Sequence, residues 1–417
     1  MQRHFLKIIL LLAFSLAKAQ VEKEITPPYN IKTVSFVQNN QNLVPIFQLG
    51  NEFQLQFDDL FGNDTSYFYE VVHCDYDWIP SNLQKNEYLI GFDNQRILNT
   101  SNSFNCLQLY THFKLDLPNV NTKIKISGNY ILKIMNEEKE VVFSRKFIVY
   151  EDLATVLIQV KRARTIDHLD SKHNLEFTIK SKEINFQNAL KNVKTLVLQN
   201  GKFQTAITNV KPQFTIGNDL IYKYDTQTQF WAGNEYLYFD NKEIRVASNA
   251  IARVDSQKEI YTSYLFTNEA RGSSTYYNWQ DTNGNFVVRR LFSENSEIEA
   301  DYSWIYFSLS APNHRSSDGS VYVTGLFNNY AFTPENKMDF NSEKGVYEKA
   351  ILIKQGFTNY EYVAVQPNGT IDSEKAIDGN FFQTENEYTV LVYYKENTDR
   401  YVRVIGKGTA SSLNIIN

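Results

Sequence analysis

Tyr67-Phe68-Tyr69-Glu70-Val71-Val72-His73-Cys74-Asp75-Tyr76-Asp77-Trp78 runs an apolar strand directly into a dense block of polar and aromatic side chains, with no loop between them. Its first half is rich in aromatic and β-branched residues, which suit a half-buried pleated surface better than a helix face. The block that follows reads either as a tightly specified fold corner or as a surface built for a partner. Alternation of the same kind recurs outward from this stretch, at Val34 and Phe36, at Phe53, Leu55 and Phe57, and at Phe113, Leu115 and Leu117 before Pro118. Each run is short and ends in Asn, Asp, Gly or Pro, the pattern of an antiparallel sandwich. Composition agrees, with 29 Phe and 27 Tyr against 3 Met.

The expected fold class is therefore all-β, as several chained immunoglobulin-like or early-set-like β-sandwich domains. Residues 128–134 and 141–150 read as a hairpin that closes an N-terminal sandwich over 20–152. A middle β-rich domain is expected over 153–298, with strands at 155–160, 175–180 and 193–198 and a turn at Asn200-Gly201. Asn283-Gly284, between aromatic runs at 276–279 and 286–288, predicts a further hairpin. A C-terminal early-set-like sandwich is expected over 299–417, from alternation at 302–310 and strands at 321–330, 388–394 and 401–405. Residues 182–192 are the best candidate for a short helix.

The first nineteen residues predict a cleavable signal peptide (1–19). Arg3, His4 and Lys7 precede an apolar run at 8–16 too short to span a bilayer, and Ala17-Lys18-Ala19 offers a small-x-small cleavage site before Gln20. Export from the cytoplasm is the expected outcome. Loss of Arg3, Lys7 and Lys18 takes the formal net charge from −5 to −8. The remaining charges are interspersed, so nucleic acid and anionic lipid are poor partners, direct membrane insertion is not expected, and the free protein is expected to be a monomer. Cys74 and Cys106 could pair in an oxidising compartment, but sequence supplies no distance, and two buried thiols are the plainer reading.

Motifs for catalysis are missing. The chain has no nucleophile elbow, HExxH, phosphate-binding glycine loop or paired metal cysteines, so no cofactor and no metal is expected and the protein is read as non-enzymatic. Asp75 and Asp77 would share a strand face if the strand continued, placing them to bind calcium or to act as acid and base. Beside Trp78 and Pro80, a turn-forming role is the plainer reading. With Glu235 they would be the suspects in a hydrolase without a readable motif. His73 and His112 are read first as satisfied core imidazoles. With Tyr110 they form an expected structural cluster in which 110–113 packs on 73–78. The runs at 321–330, 346–349 and 357–362 look like early-set modules that include glycogen-binding domains, which opens an alternative as a glycan-binding protein stacking sugar on Trp304 or Tyr330.

Taken together, Pro27-Pro28-Tyr29-Asn30-Ile31, Phe57-Asp58-Asp59-Leu60, His73-Cys74-Asp75-Tyr76-Asp77-Trp78, Tyr110-Thr111-His112-Phe113, Ser127-Gly128-Asn129-Tyr130, Gly233-Asn234-Glu235, Phe239-Asp240 and Thr384-Glu385-Asn386-Glu387-Tyr388-Thr389 resemble the type IX secretion system plug protein family of Bacteroidota. The resemblance covers essentially the whole chain after residue 19. One departure is Cys106, which stands where the family's Ser-Phe-Asn-Thr run has a threonine-like residue. The resemblance implies a periplasmic, non-enzymatic protein that docks on the periplasmic end of the outer-membrane translocon barrel and closes its channel. Loops carry function on rigid scaffolds, so Asp75, Tyr76, Asp77, Trp78 and Ser81 are the expected contact residues.

Overall fold

A computed structural model describes residues 21–415 apart from 64 and 257–258. The expected signal peptide lies outside the described residues. Strands dominate, arranged as three sandwiches, and no helix among the described residues is long and apolar enough to cross a membrane.

The first sandwich spans 31–150. One sheet orders its strands Gln41–Asn42, Ile31–Gln38, Phe53–Asp59, Thr111–Leu117 and Asn99–Asn102; the other orders Ile46–Gln48, Val141–Tyr150, Gly128–Met135, Phe68–Cys74 and Gln95–Arg96. Alternation along these strands turns one face of each sheet inward. Phe36, Phe47, Phe53 and Phe147 meet at one end of the core, and Phe57, Tyr67, Phe113 and Phe143 at the other. The hairpin expected at 128–150 forms in antiparallel register, Gly128 opposite Val149. A short ribbon, Leu89–Gly91 with Thr122–Ile124, stands apart from both sheets.

The second and third sandwiches do not follow one another along the chain, and the expected division at 298/299 is corrected here. In the second sandwich, Thr155–Arg162 and Lys172–Lys180 form one sheet with Asp219–Tyr222, while Val193–Gln199 pairs across its full length with Glu387–Tyr394, which pairs in turn with Arg403–Ser411. Val193, Val197, Val390, Val392 and Ile405 close its core over Leu175, Phe177 and Ile179. The third sandwich is inserted between these halves. It packs Leu237–Asp240, Gly356–Val365, Phe286–Val288 and Ser320–Thr324 on a sheet built around Tyr302–Ser310 and Val346–Lys354. The physical reason lies in side-chain alternation: Tyr388, Val390, Val392 and Tyr394 turn to the same core as Val193 and Val197, so this strand, paired antiparallel with 193–199, completes the second sandwich.

Two smaller expectations also fail. Asn283 and Gly284 do make a turn, with φ of 52° and 85°, but Phe286–Val288 pairs with Gly356–Val365, and 276–279 forms no strand because the Trp279 indole N–H donates to the Tyr236 carbonyl. Of 182–192, only Ala189–Asn192 is helical.

Candidate functional site

The polar and aromatic block is carried by Phe68–Cys74, whose ladder with Gly128–Met135 ends at Cys74 opposite Asn129. The chain then turns. Asp75 Oδ1 accepts from the backbone N–H of Asp77 at 3.0 Å and of Ile79 at 3.1 Å, and Trp78 takes a left-handed φ of 61°. Asp75 and Asp77 therefore do not share a strand face, the arrangement that a metal pair or an acid and base on that strand would need.

Tyr76 leaves the turn toward the second sandwich. Its hydroxyl donates to the Thr195 carbonyl at 2.7 Å and accepts from the Asn209 N–H at 2.8 Å, and its ring meets Tyr393 edge-on at 4.8 Å. The Tyr393 hydroxyl donates to Asn129 Oδ1, and the Asn129 amide donates to the carbonyls of Asp75 and Tyr76, closing a ring of polar contacts across the boundary. Lys194 lies 4.4 Å above the Tyr76 ring and 3.2 Å from Asp77 Oδ2. Trp78 is held between Lys146 and Phe203. An apolar cluster of Ile46, Ile148, Leu196, Leu198, Leu391 and Val404 surrounds the contact. Among Asp75, Tyr76, Asp77, Trp78 and Ser81, only Asp77 is exposed. The block is a joint inside the chain with Tyr76 buried in it, which leaves Asp77 and the half-buried Asp75, Trp78 and Ser81 as the part of the expected contact set that reaches the surface.

His73 serves the same strand from within the first sandwich. Its Nδ1 hydrogen-bonds Ser81 Oγ at 2.8 Å, and its ring is edge-on to Tyr130 and Tyr401. Burial drives the imidazole down to about 4. Gly128 is required here, since a Cβ at that position would lie 2.3 Å from His73 Nε2. Its neighbour Ser127 donates through its hydroxyl to Glu151 and accepts the Val404 N–H, tying the same turn to the second sandwich.

His112 and Tyr110 lie in the opposite sheet and face the third sandwich, so the expected cluster of His73 with Tyr110 and His112 does not form. His112 Nδ1 is 2.6 Å from Asp58 Oδ1, while Asp58 Oδ2 accepts from Lys354 Nζ at 2.6 Å and from the Tyr302 hydroxyl at 2.6 Å. Tyr110 lies beneath Lys354 at 4.2 Å, meets Tyr302 edge-on, and donates through its hydroxyl to the Ala300 carbonyl. Burial pushes the Asp58 carboxyl up, but Lys354 and His112 outweigh it and hold the group below its ordinary value. Burial lowers the Lys354 ammonium, with Asp58 opposing. Asp58, His112, Tyr302 and Lys354 are each at most 5% exposed. Groups so enclosed fix a joint and offer no access to a solute.

Lys354 and Tyr302 were not singled out from the sequence. A signal exists: Lys354 shares its strand parity with Leu352, on the face that also carries Trp304 and Ile260 at this joint. Asp301 adds to the same seam by accepting the backbone N–H of Leu107 and Gln108. Cys74 and Cys106 are both free thiols, which settles the open alternative. Cys74 belongs to the first joint and burial pushes it up to about 12; Cys106 donates to the Ile298 and Glu299 carbonyls in the second, and burial pushes it up to about 11.

Glu235, the remaining hydrolase suspect, accepts the Tyr276 hydroxyl and the Glu385 N–H between the second and third sandwiches, and burial raises its carboxyl. Among the described residues, no group of three or more His, Cys, Asp or Glu side chains is placed to hold a metal ion.

A sequence model described as the type 9 secretion system plug protein first domain matches residues 31–151, the span of the first sandwich and its exit. A crystal structure of a hypothetical protein from Parabacteroides merdae is similar over 94% of this chain and 100% of its own, with 31% identity and a TM-score of 0.89. A biofilm-associated protein BSP domain shares 6% identity at a TM-score of 0.15, over 95% of this chain and 61% of its own. E. coli alpha-2-macroglobulin shares 8% identity at a TM-score of 0.20, over 95% and 28% respectively. None of the curated proteins matches the chain. With a first sandwich that fits the plug domain and a relative that shares the whole three-sandwich body, the chain belongs to the type 9 secretion system plug protein family.

Proposed function

We propose that this protein is a non-enzymatic periplasmic subunit of the type IX secretion system that docks on the periplasmic end of the outer-membrane translocon barrel and seals its channel. One observation carries the reading beyond family membership. Most of the blocks that hold the family resemblance are spent on joints: Phe57 to Leu60 and Tyr110 to Phe113 lock the first sandwich to the third, and His73 to Trp78 with Ser127 to Tyr130 lock it to the second. Gly233 to Glu235 and Thr384 to Thr389 lie where the second meets the third; for example, the Asn386 amide donates to the Ala232 carbonyl. A stopper must resist deformation, and a body braced at every boundary by packed aromatics and buried hydrogen bonds does so.

Contact with the barrel is placed on exposed apolar side chains of the first sandwich that belong to neither joint cluster. The ribbon Leu89–Gly91 with Thr122–Ile124 presents Ile90, Phe92 at 76% exposure and, from the adjoining loop, Val120 at 95%. Apolar tips on an otherwise charged body fit a reversible contact. The test is copurification of the full chain with the translocon barrel from a Bacteroidota host, with a photocrosslinker at Phe92. Recovery of a Phe92 crosslink to the barrel supports both the role and the surface. A protein never recovered with the barrel, even after crosslinking throughout the first sandwich, overturns the role.

A further inference from the structure

Between the second and third sandwiches lies a cleft of about 730 Å³ that takes no part in the two joints of the first sandwich. Its size and its place at a boundary between units are those of small-molecule sites. Trp231, from the edge strand Gln229–Trp231, together with Tyr330 and Phe332 supplies aromatic surface; Lys202, Arg271, Glu361 and Asp378 supply charge.

The cations of the cleft are not free to take an anionic ligand. Lys202 Nζ is 2.6 Å from Glu361 and Arg271 Nε is 2.9 Å from Asp378, so each cation of the cleft is already held by a carboxylate. A phosphate or carboxylate would have to break one of these pairs. Yet the second pair is incomplete. Arg271 Nη1 and Asp378 Oδ2 are both buried without a hydrogen-bond partner, leaving one donor and one acceptor unanswered on the same pair, and Asp378 is only 7% exposed. Thr205 Oγ1, in the same lining, is also without a partner. Hydroxyl groups donate and accept at once, and two adjacent hydroxyls on a rigid ring would answer both members of the pair.

We propose that this cleft binds a neutral saccharide, with Arg271 and Asp378 taking adjacent ring hydroxyls and Phe332 and Trp231 lying against the apolar faces of the sugar. An extended peptide is the weaker occupant. Ser320–Thr324, at the cleft from the third sandwich, is paired with 361–365 on one side and bonded through Val321 and Val323 to Met338 and Asn336 on the other, and on the short edge strand Gln229–Trp231 the Trp231 carbonyl is already taken by the Gln199 side-chain amide. Trp304, expected from sequence to stack a sugar, cannot: it packs with Leu60 and Cys106 in the joint to the first sandwich. Tyr330 does line the cleft, although it is itself buried.

The experiment is titration of the full chain with chitotetraose, maltotetraose and cellotetraose, by calorimetry and by tryptophan fluorescence, with an unrelated extended peptide as comparison. Saturable binding of at least one saccharide is expected. Arg271→Lys, which keeps the charge but loses the planar fork, and Phe332→Ala should each weaken it roughly tenfold, about 1.4 kcal/mol, with unfolding midpoints near that of the parent. Where Arg271→Lys fails to fold, Phe332→Ala decides. Absence of saturable binding by all three sugars, binding unaffected by Phe332→Ala, or saturation by the peptide alone overturns the proposal. The secretion role is untouched by that failure, since copurification with the barrel reads it separately.

Discussion

Replacing Asp58 by Asn would leave Lys354, itself 5% exposed, without its anion at the boundary of the first and third sandwiches. Breaking such a pair costs more than the pair contributes, so Asp58→Asn is expected to destabilise by about 3–5 kcal/mol in denaturant unfolding. Adding Lys354→Met should recover part of that loss, and additive losses in the double variant would show that the two groups are not coupled. His73 makes a separate prediction through its pKa, lowered by burial from 6.5 to about 4. The unfolded chain takes up this proton below 6.5 and the folded chain only below about 4. The stability contributed by neutral His73 is thus complete above pH 6.5 and lost as pH falls through this window. His73→Gln should flatten the fall in unfolding free energy over the same range; an unaltered slope contradicts the assignment. Burial also lowers His173, so some slope will remain. Of these residues, His73 and His112 stood out in the sequence because an imidazole borders an aromatic strand; Asp58 entered only within a block of the family resemblance. Lys354 did not, because its partner lies on a strand far away along the chain.

At the scale of elements, close approach decides more than propensity. Gly128→Ala places a methyl group 2.3 Å from His73 Nε2 and should cost about 1–3 kcal/mol by forcing strand and ring apart. His73→Ala in the same chain should relieve that strain, and an equal penalty in both backgrounds would assign the glycine another role. The hairpin of 128–134 with 141–150 was legible because local alternation and a charged turn agree with the final pairing. The one expected at Asn283-Gly284 was not, because turn chemistry reports a turn and not which strand lies beyond it. Residues 286–288 find a longer partner in Gly356–Val365, and Trp279 is drawn to a backbone carbonyl instead. The block at 73–78 was legible as something specified, but its aromatic and polar composition suits a buried seam and an exposed contact equally well.

For the whole molecule, the joints predict shared stability. Tyr76→Phe removes the hydroxyl that bridges Thr195 and Asn209, and should cost about 1–2 kcal/mol in the full chain. An isolated first sandwich, residues 21–152, would expose Ile46, Ile148, Leu60 and Tyr110, and is expected to self-associate more strongly than the full chain at equal concentration, as light scattering would show. All-β class followed from composition and alternation; the order of the sandwiches did not, since an inserted unit leaves no mark at its borders when host and guest share the same strand chemistry. That insertion also dictates a sequence of events for a chain delivered N-terminus first. Strand Val193–Gln199 emerges early and waits for Glu387–Tyr394, so the guest can close while its host is still half built. A product cut short before residue 387 would keep the first sandwich and the guest but never zip the host, and the last thirty or so residues act as the fastener for everything made before them.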